Sequence, residues 1–333
     1  MELNEFTITL LHWYEENGRD LPWRRTTDPY AIWLSEIILQ QTRIQQGMAY
    51  WERFMERFPS VEYLAAATED EVLRLWQGLG YYSRARNLHT AAKQIVDMGA
   101  FPRTLETIKH LKGVGDYTAA AIGSFAFGLP AAAIDGNVYR VLSRYYGIET
   151  PINSNEGKKE FAALAQSLLS TDRPADFNQA MMDFGATQCT PQSPHCLICP
   201  LSETCEAAHH KGMTERLPIK LKTTKIKTRH LIYIYVRCQG ETAIRRRTAG
   251  DIWQGLWEPL LIEDENMPQF DGKLTLLRQE VKHVLTHRII YADFYLLETQ
   301  RKPQIPDDYV WIKECELDQY AIPRLVEILL DSL

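Results

Sequence analysis

Apolar residues recur at three- and four-residue spacings through most of residues 1–210, and that period predicts a succession of helices. The expected spans are 5–17, 30–55, 61–64, 69–75, 83–97, 104–110, 117–127, 138–146, 158–169 and 178–184. Pro22, Pro29, Pro59, Pro102, Pro130, Pro151 and Pro174 punctuate them, each fixing φ and removing a backbone donor. From His230 the texture changes. HLIYIYVR, TAIRRR, LWEPLLIE and RIIYADFYLLE are β-branched and aromatic, as strands are, and a last helix is expected at 323–330. The change falls in a basic, Thr-rich stretch. The expected organisation is therefore a mainly α domain over 1–210, a basic linker over 211–229 and a smaller α+β domain over 230–333. There is no internal repeat and no low-complexity tract.

Composition fits two globular domains: 45% of the 333 residues are hydrophobic and 24% charged. The net charge of −6 argues mildly against a nucleic-acid binder, yet Lys211, Arg216, Lys220, Lys222, Lys225, Lys227 and Arg229 cluster against Glu215 alone. That cluster reads first as a solvated linker. The N-terminal stretch is acidic early and has no apolar core, so no signal peptide is expected. The most apolar run, 119–134, is cut by Gly123, Ser124, Gly128 and Pro130 and is too short to span a bilayer. A cytoplasmic monomer without membrane contact follows. Its six cysteines are expected to serve something other than disulfides.

Candidate chemistry lies mainly in the helical half. In LKGVGDYTAAAIGSFAFGLPAAAIDGNVYR, residues 111–140, Gly113 and Gly115 separate two helices, and the amides opening the second make an anion site. Asp135 precedes a further helix. Local sequence reads it first as an N-cap, and the same amides would hold its carboxylate ionised with a low pKa. Glu36, in DPYAIWLSEIILQQTR (28–43), lies opposite the stripe of Tyr30, Leu34, Ile37 and Ile38. Ile32, Trp33 and Leu39 box it in on a second face. Its pKa is expected to rise, as a general acid requires. Two carboxyls in opposed environments suit cleavage of a glycosidic bond through a cationic sugar. In WQGLGYYSRARNL (76–88), Gly78 and Gly80 precede Tyr81, Tyr82, Arg84 and Arg86. Base stacking with phosphate contact and a plain turn with core tyrosines both remain open there. Tyr117 cannot form a Schiff base, and Lys112 lies on the far side of the turn. Cys189, Cys196, Cys199 and Cys205, spaced C-x6-C-x2-C-x5-C, point to a metal centre, with zinc and an iron–sulfur cluster both open on thiolate count. Cys238 and Cys315 are expected to be buried packing residues.

The hairpin, the aspartate and this cysteine spacing together resemble the helix–hairpin–helix DNA glycosylases that carry a 4Fe–4S cluster. SEIILQQT, GLGYYSRARNL, GVGDYTAAAI, IDGNVYRV and FNQAMMDFGA resemble the MutY adenine glycosylases, over essentially the whole chain. The resemblance implies removal of adenine mispaired with 8-oxoguanine or guanine in double-stranded DNA, after the nucleotide is flipped out of the stack. Within it, Glu36 protonates adenine N7 and later activates water, Asp135 stabilises the sugar cation, and Tyr117 and Asn137 assist. Trp23, Arg24 and Gln179 fall at adenine-pocket positions, and Gln41 and Tyr81 beside the extruded adenine and 8-oxoguanine. Gly113, Gly115, Arg84, Arg86 and Lys112 fall at DNA contacts. The four cysteines would hold the 4Fe–4S cluster. The related endonuclease III carries lysine where Tyr117 stands, so monofunctional action is implied.

The last domain resembles the family's Nudix-like reader of 8-oxoguanine, with WQGLWEP (253–259) matching its Trp-Glu strand. The chain contains no hydrolase box of spaced Gly, Arg-Glu and paired Glu, so nucleotide hydrolysis is not expected. Two departures stand out. The family's Phe-Ser-His turn is Leu285-Thr286-His287 here, which keeps a hydroxyl and loses an aromatic ring. The loop from Cys189 to Cys196 offers only His195 where relatives place Arg or Lys. Three other readings compete: a glycosylase for thymine opposite guanine, a non-catalytic iron–sulfur DNA-binding protein and an electron-transfer protein. The reader domain argues against the first, the intact Glu36 and Asp135 against the second. The hairpin and the reader domain are left unexplained by the third.

Overall fold

The structure, a computed structural model, describes residues 4–222, 226–263 and 267–333; Lys225 of the basic cluster and the first three residues of the acidic N-terminus lie outside them. Two compact units form. One combines 1–51 and 58–62 with 90–222, and the other combines 52–57 and 63–89 with 223–333.

Helix α1 (Glu5–Asn17) is capped by the Asn4 side chain on the Phe6 amide and buries Phe6, Leu10 and Leu11. Helix α2 (Pro29–Leu39) starts on an Asp28 cap with proline in its first turn, where the missing donor costs nothing. Every residue from Tyr30 to Ile38 in α2 is buried, so Glu36 is enclosed on the second apolar face as well as the first. The single helix expected over 30–55 is two. Gln41 takes a left-handed φ of 56°, which ends α2 before α3 (Ile44–Arg57) begins. Then come α4 (Val61–Ala66), α5 (Glu69–Trp76) with a Thr68/Glu71 capping box, α6 (Ser83–Met98) and α7 (Leu105–Lys109). They are followed by α8 (Asp116–Phe127), α9 (Gly136–Tyr146), α10 (Asn155–Leu168) and α11 (Pro174–Asp183). A π-helical turn over Phe184–Gln188 leads from α11 into the cysteine loop, and α12 (Glu206–His209) and α13 (Met213–Arg216) close the first unit. Its main core joins Phe6 and Leu10 to Val141, Leu142, Phe161, Phe177 and Phe184. Helix α2 packs on α8, whose Ala119, Ala120 and Ala121 permit a close approach.

The second unit is built on strands β1 (Lys227–Cys238), β2 (Glu241–Arg246), β3 (Trp257–Ile262), β4 (Lys273–Val284), β5 (Arg288–Thr299) and β6 (Val310–Lys313). They form one mixed sheet in the order β4-β5-β1-β3-β2-β6, with β1 parallel to β5 and the other pairs antiparallel. Alternate residues of β1 face opposite ways. Leu231, Tyr233 and Tyr235 pack with Phe294 and with Leu325, Val326 and Leu329 of α14 (Arg324–Leu330), while Ile234 and Val236 join Leu260 and Leu297 on the other side. Residues of α5 belong to this unit: Arg246 pairs with Glu69 at 2.9 Å, and the Trp257 indole donates to Asp70 at 3.3 Å. Strands β4 and β6 were not expected from the sequence. Cys238 is buried as expected, whereas Cys315 is exposed. In the expected linker, Arg216 pairs with Glu149, and Arg229 lies in β1 paired with Asp251 and Glu263. Among the described residues no helix is long and apolar enough to cross a membrane.

Candidate active site

A cavity of about 820 Å³ in the first unit is lined by Trp23, Arg24, Glu36, Gln41, Tyr117, Asp135, Asn137 and Gln179, among others. Five separate segments deliver these groups. Glu36 comes from the buried middle of α2 and accepts a hydrogen bond from the Tyr117 hydroxyl, in the first turn of α8, at 2.8 Å. Asp135 caps α9, as its local sequence indicates. Its Oδ1 accepts from the amides of Asn137 and Val138 at 2.8 Å each, and its Oδ2 from the Asn137 side chain at 2.7 Å. Asn137 is held in turn, its oxygen accepting from Arg140 at 2.7 Å. Trp23 and Arg24 come from the short turn before α2, and Gln179 from α11.

Burial dominates the electrostatics. Glu36 is 7% exposed, and burial pushes its carboxyl up to about 7; the Tyr117 bond opposes this, Asp135 adds to it and Arg24 opposes it. Asp135 corrects the expectation of a low pKa. Its own burial raises it, and the amide of Val138, the amide and side chain of Asn137, and Arg140 offset that only in part. The two carboxyls still differ in their partners: Glu36 accepts one phenol, and Asp135 three donors.

Four supporting residues escaped the sequence reading. Asp183 holds Arg24 through both terminal guanidinium nitrogens, Nη1 and Nη2, at 2.7 and 2.8 Å. Tyr14 donates to Gln179 at 2.5 Å. Arg140 ties Asn137 to the carbonyls of Gly185 at 2.6 Å and Cys189 at 2.8 Å. A Cβ on Gly185 would meet that of Asn137 at 2.5 Å, so only glycine permits this approach. All but Arg140 lie outside the hairpin–aspartate stretch, and no periodicity marks them.

At the hairpin the two glycines differ. Gly113 has φ +82°, a conformation that a β-carbon opposes. Gly115 opens α8 with extended backbone and no side-chain cap, and a Cβ there meets nothing within 4 Å. Lys112 is exposed beside them.

The second unit has its own cavity, lined by Tyr81, Tyr82, Arg86, Trp253, Thr286 and His287 together with neighbouring residues. Tyr81 is exposed at a φ of 46°, and its hydroxyl is hydrogen-bonded to that of Thr286. Tyr82 is a buried core residue. Arg84, expected at a phosphate, is instead 8% exposed; its guanidinium lies over the Trp76 ring and donates to the carbonyls of Leu79 and Gly80 at 3.3 Å each. Burial disfavours the Arg84 charge, and stacking on the indole offsets that, because a planar, weakly hydrated guanidinium is a better core partner than a lysine would be. Arg86 donates to the Gln254 carbonyl at 2.5 Å.

Cys189, Cys196, Cys199 and Cys205 line one small cavity with Val141, Phe184 and Leu201. Among the described residues no three Cys, His, Asp or Glu side chains gather so as to hold a single metal ion. Four thiols lining one cavity are a donor set that suits either a 4Fe–4S cluster or a tetrahedral zinc ion. Burial raises the Cys199 thiol to about 11, and Arg144 donates to the Cys189 sulfur at 3.4 Å and to the Thr190 carbonyl at 2.7 Å.

Residues 34–169 match the family of the HhH-GPD superfamily base excision DNA repair protein, and residues 232–332 match the NUDIX domain. The chain is 45% identical over 217 residues to the adenine DNA glycosylase of Homo sapiens, covering 62% of this chain and 40% of that protein. It is 31% identical over 348 residues to the adenine DNA glycosylase of Buchnera aphidicola subsp. Acyrthosiphon pisum, covering 98% and 97%. It spans less than half the length of the mammalian relatives it matches, 40% in human, 43% in rat and 45% in mouse. Among solved structures, a thermostable thymine-DNA glycosylase is similar at 33% identity and a TM-score of 0.57, covering 61% of this chain and 95% of that one. A trapped endonuclease III–DNA covalent intermediate is similar at 23% identity and 0.53, covering 61% and 93%, a likeness of fold.

Proposed function

The chain belongs to the adenine DNA glycosylases, and from that premise we propose that it is a monofunctional enzyme of base excision repair acting on double-stranded DNA. Its substrate is adenine mispaired with 8-oxoguanine or guanine. One observation carries the reading: a buried carboxyl, Glu36, raised to about 7 and bonded to Tyr117, shares a cavity with a second carboxyl fixed at a helix N-terminus.

The adenine must leave the stack for the cavity to receive it. Glu36, protonated near neutrality, gives its proton to N7 of the base. The C1′–N9 bond then breaks with its electron pair passing to the adenine, which departs neutral. The sugar is left as an oxocarbenium ion, and Asp135 stabilises it across the face that Asn137 and the α9 amides hold in place. Water adds to C1′ and gives its proton to Glu36, which restores the acid. Tyr117 holds Glu36 in position, and no amine stands there to form a Schiff base, so the strand is left intact.

Cys189, Cys196, Cys199 and Cys205 would hold a 4Fe–4S cluster, which when bound cross-links the loop that carries them and takes no part in bond cleavage. Gly113, Gly115 and Lys112 supply backbone and charge for phosphate. Residues 230–333 act as the reader of 8-oxoguanine, with Tyr81, Thr286 and His287 at its cavity.

The test is a base-release assay on duplexes carrying adenine opposite 8-oxoguanine, guanine or thymine, and thymine opposite guanine. Release is expected from the first two, faster opposite 8-oxoguanine. Release of thymine opposite guanine without release of adenine would replace this reading by the one its similarity to a thymine-DNA glycosylase favours.

A further inference from the structure

One buried carboxylate orders the polar side chains along a wall of the active-site cavity. The Asp183 side chain is fully buried. Its Oδ1 accepts from Arg19 Nε at 2.7 Å, from Arg24 Nη2 at 2.8 Å and from Arg19 Nη2. Its Oδ2 accepts from the Arg19 amide at 2.9 Å and from Arg24 Nη1 at 2.7 Å. Those donors fill the roughly four lone-pair sites a carboxylate offers. Tyr14, on α1, lies close enough to this cluster to feel the charges of Arg24 and Asp183. With Asp183 saturated, its hydroxyl proton goes to the side-chain oxygen of Gln179 at 2.5 Å.

Gln179 lines the cavity that holds Glu36 and Asp135. A side-chain amide can present either its oxygen or its NH2 after a half-turn, and a neighbour that engages one end decides which. We propose that Tyr14 is a positioning residue that sets base specificity: by engaging the Gln179 oxygen it leaves the amide NH2 to face the cavity, where it reads an acceptor on the six-membered ring of the bound purine. The inference rests on the cavity being the adenine pocket. With N7 taken by Glu36 and N9 by the sugar, adenine meets the NH2 with unprotonated N1. Hypoxanthine carries a hydrogen on N1 and sets donor against donor, an arrangement that leaves a desolvated group unpaired.

The experiment compares single-turnover release of adenine and of hypoxanthine, each opposite guanine, by the wild type, Tyr14→Phe, Gln179→Ala and the double variant. Tyr14→Phe keeps the ring and removes only the hydroxyl. The freed amide can then offer its oxygen to hypoxanthine N1–H, so the adenine-to-hypoxanthine rate ratio is expected to fall about tenfold from the wild-type value. Duplex affinity is expected to stay within about twofold. In the Gln179→Ala background the Tyr14 substitution is expected to leave the ratio unmoved. An unchanged ratio in Tyr14→Phe overturns the inference, and so does an equal change without Gln179. If the wild type releases adenine from no duplex, the pocket reading falls and this inference falls with it. If it does release adenine and the ratio ignores Tyr14, the inference alone is lost.

Discussion

A glutamate in the middle of a helix that is buried all round has one low-energy way to stay there, which is to keep its proton. Glu36 does so in a substantial fraction of molecules at neutral pH, because burial outweighs the phenol and the arginine that favour its charge. Glu36→Gln keeps the shape and removes the proton, so adenine release is expected to fall by about 10³-fold or more while duplex binding survives. Near-normal turnover in a base-release assay would take Glu36 out of the acid role. The pH profile carries a second prediction. An acid that titrates near 7 loses its proton as pH rises, so the rate should decline above that value. The Tyr117 hydrogen bond favours the charged carboxylate, and Tyr117→Phe is therefore expected to move the alkaline limb to higher pH. Movement to lower pH would mean the phenol acts on Glu36 in the opposite sense. The need for a raised acid is legible in the apolar neighbours of position 36. The direction at Asp135 is not, because the sequence shows the capping amides and hides how deeply the group they cap is buried.

At the scale of elements, the hairpin offers a contrast between two glycines that look alike in sequence. Gly113→Ala forces a β-carbon into φ +82° and is expected to cost about 1–2 kcal/mol of stability by thermal or urea unfolding. Gly115→Ala has open space and ordinary backbone, so unfolding should be unmoved while affinity for duplex DNA drops, since only a partner's approach is obstructed. A Gly115→Ala variant that binds normally would remove this hairpin from the phosphate contact. The second unit holds an element-scale device of its own. Burial alone would raise Asp251, but Arg229 of β1, Arg247 and the Ile252 amide hold it down at about 2, and Arg288 of β5 bonds it at 3.0 Å. Its carboxyl is depressed below its ordinary 3.8, so the stability it contributes is complete above that value and is lost as pH falls towards 2. Asp251→Asn is expected to flatten acid unfolding over that interval, followed by tryptophan fluorescence; an unaltered acid transition would place the sensitivity elsewhere. Helix boundaries were largely readable from period and caps. The break at Gln41 was not, because a left-handed glutamine carries no glycine or proline to announce it. Strand β4 was hidden for another reason: it is an edge strand, mostly exposed on both faces and interrupted by bulges, so no apolar alternation marks it.

Across the whole molecule, the change of texture near residue 230 separates helical from strand-rich sequence, but it does not divide the chain as packing does. Residues 63–89 read as more of the helical half, yet they belong with the sheet, joined to it by pairs such as Arg246–Glu69 and Gln77–Glu327. Such pairs link positions far apart in the chain through polar groups, and no local pattern forecasts them. The consequence is functional. Tyr81 comes from that helical stretch and Thr286 from the turn between β4 and β5, and one hydrogen bond joins them at an open cavity. An exposed tyrosine in a left-handed conformation gains little from packing, and the bond to Thr286 gives it a fixed direction. If this cavity reads the base opposite the adenine, the chemistry and the reading are carried by different residues in different units. Thr286→Ala is then expected to reduce the preference for 8-oxoguanine over guanine by about five- to tenfold, the worth of one hydrogen bond, with adenine release opposite guanine little changed. Tyr81→Phe keeps the ring and loses the same bond, so it should reproduce that effect. Equal losses opposite both bases in these variants would assign Tyr81 and Thr286 to holding the second unit together, and the reader would have to be sought elsewhere on the sheet.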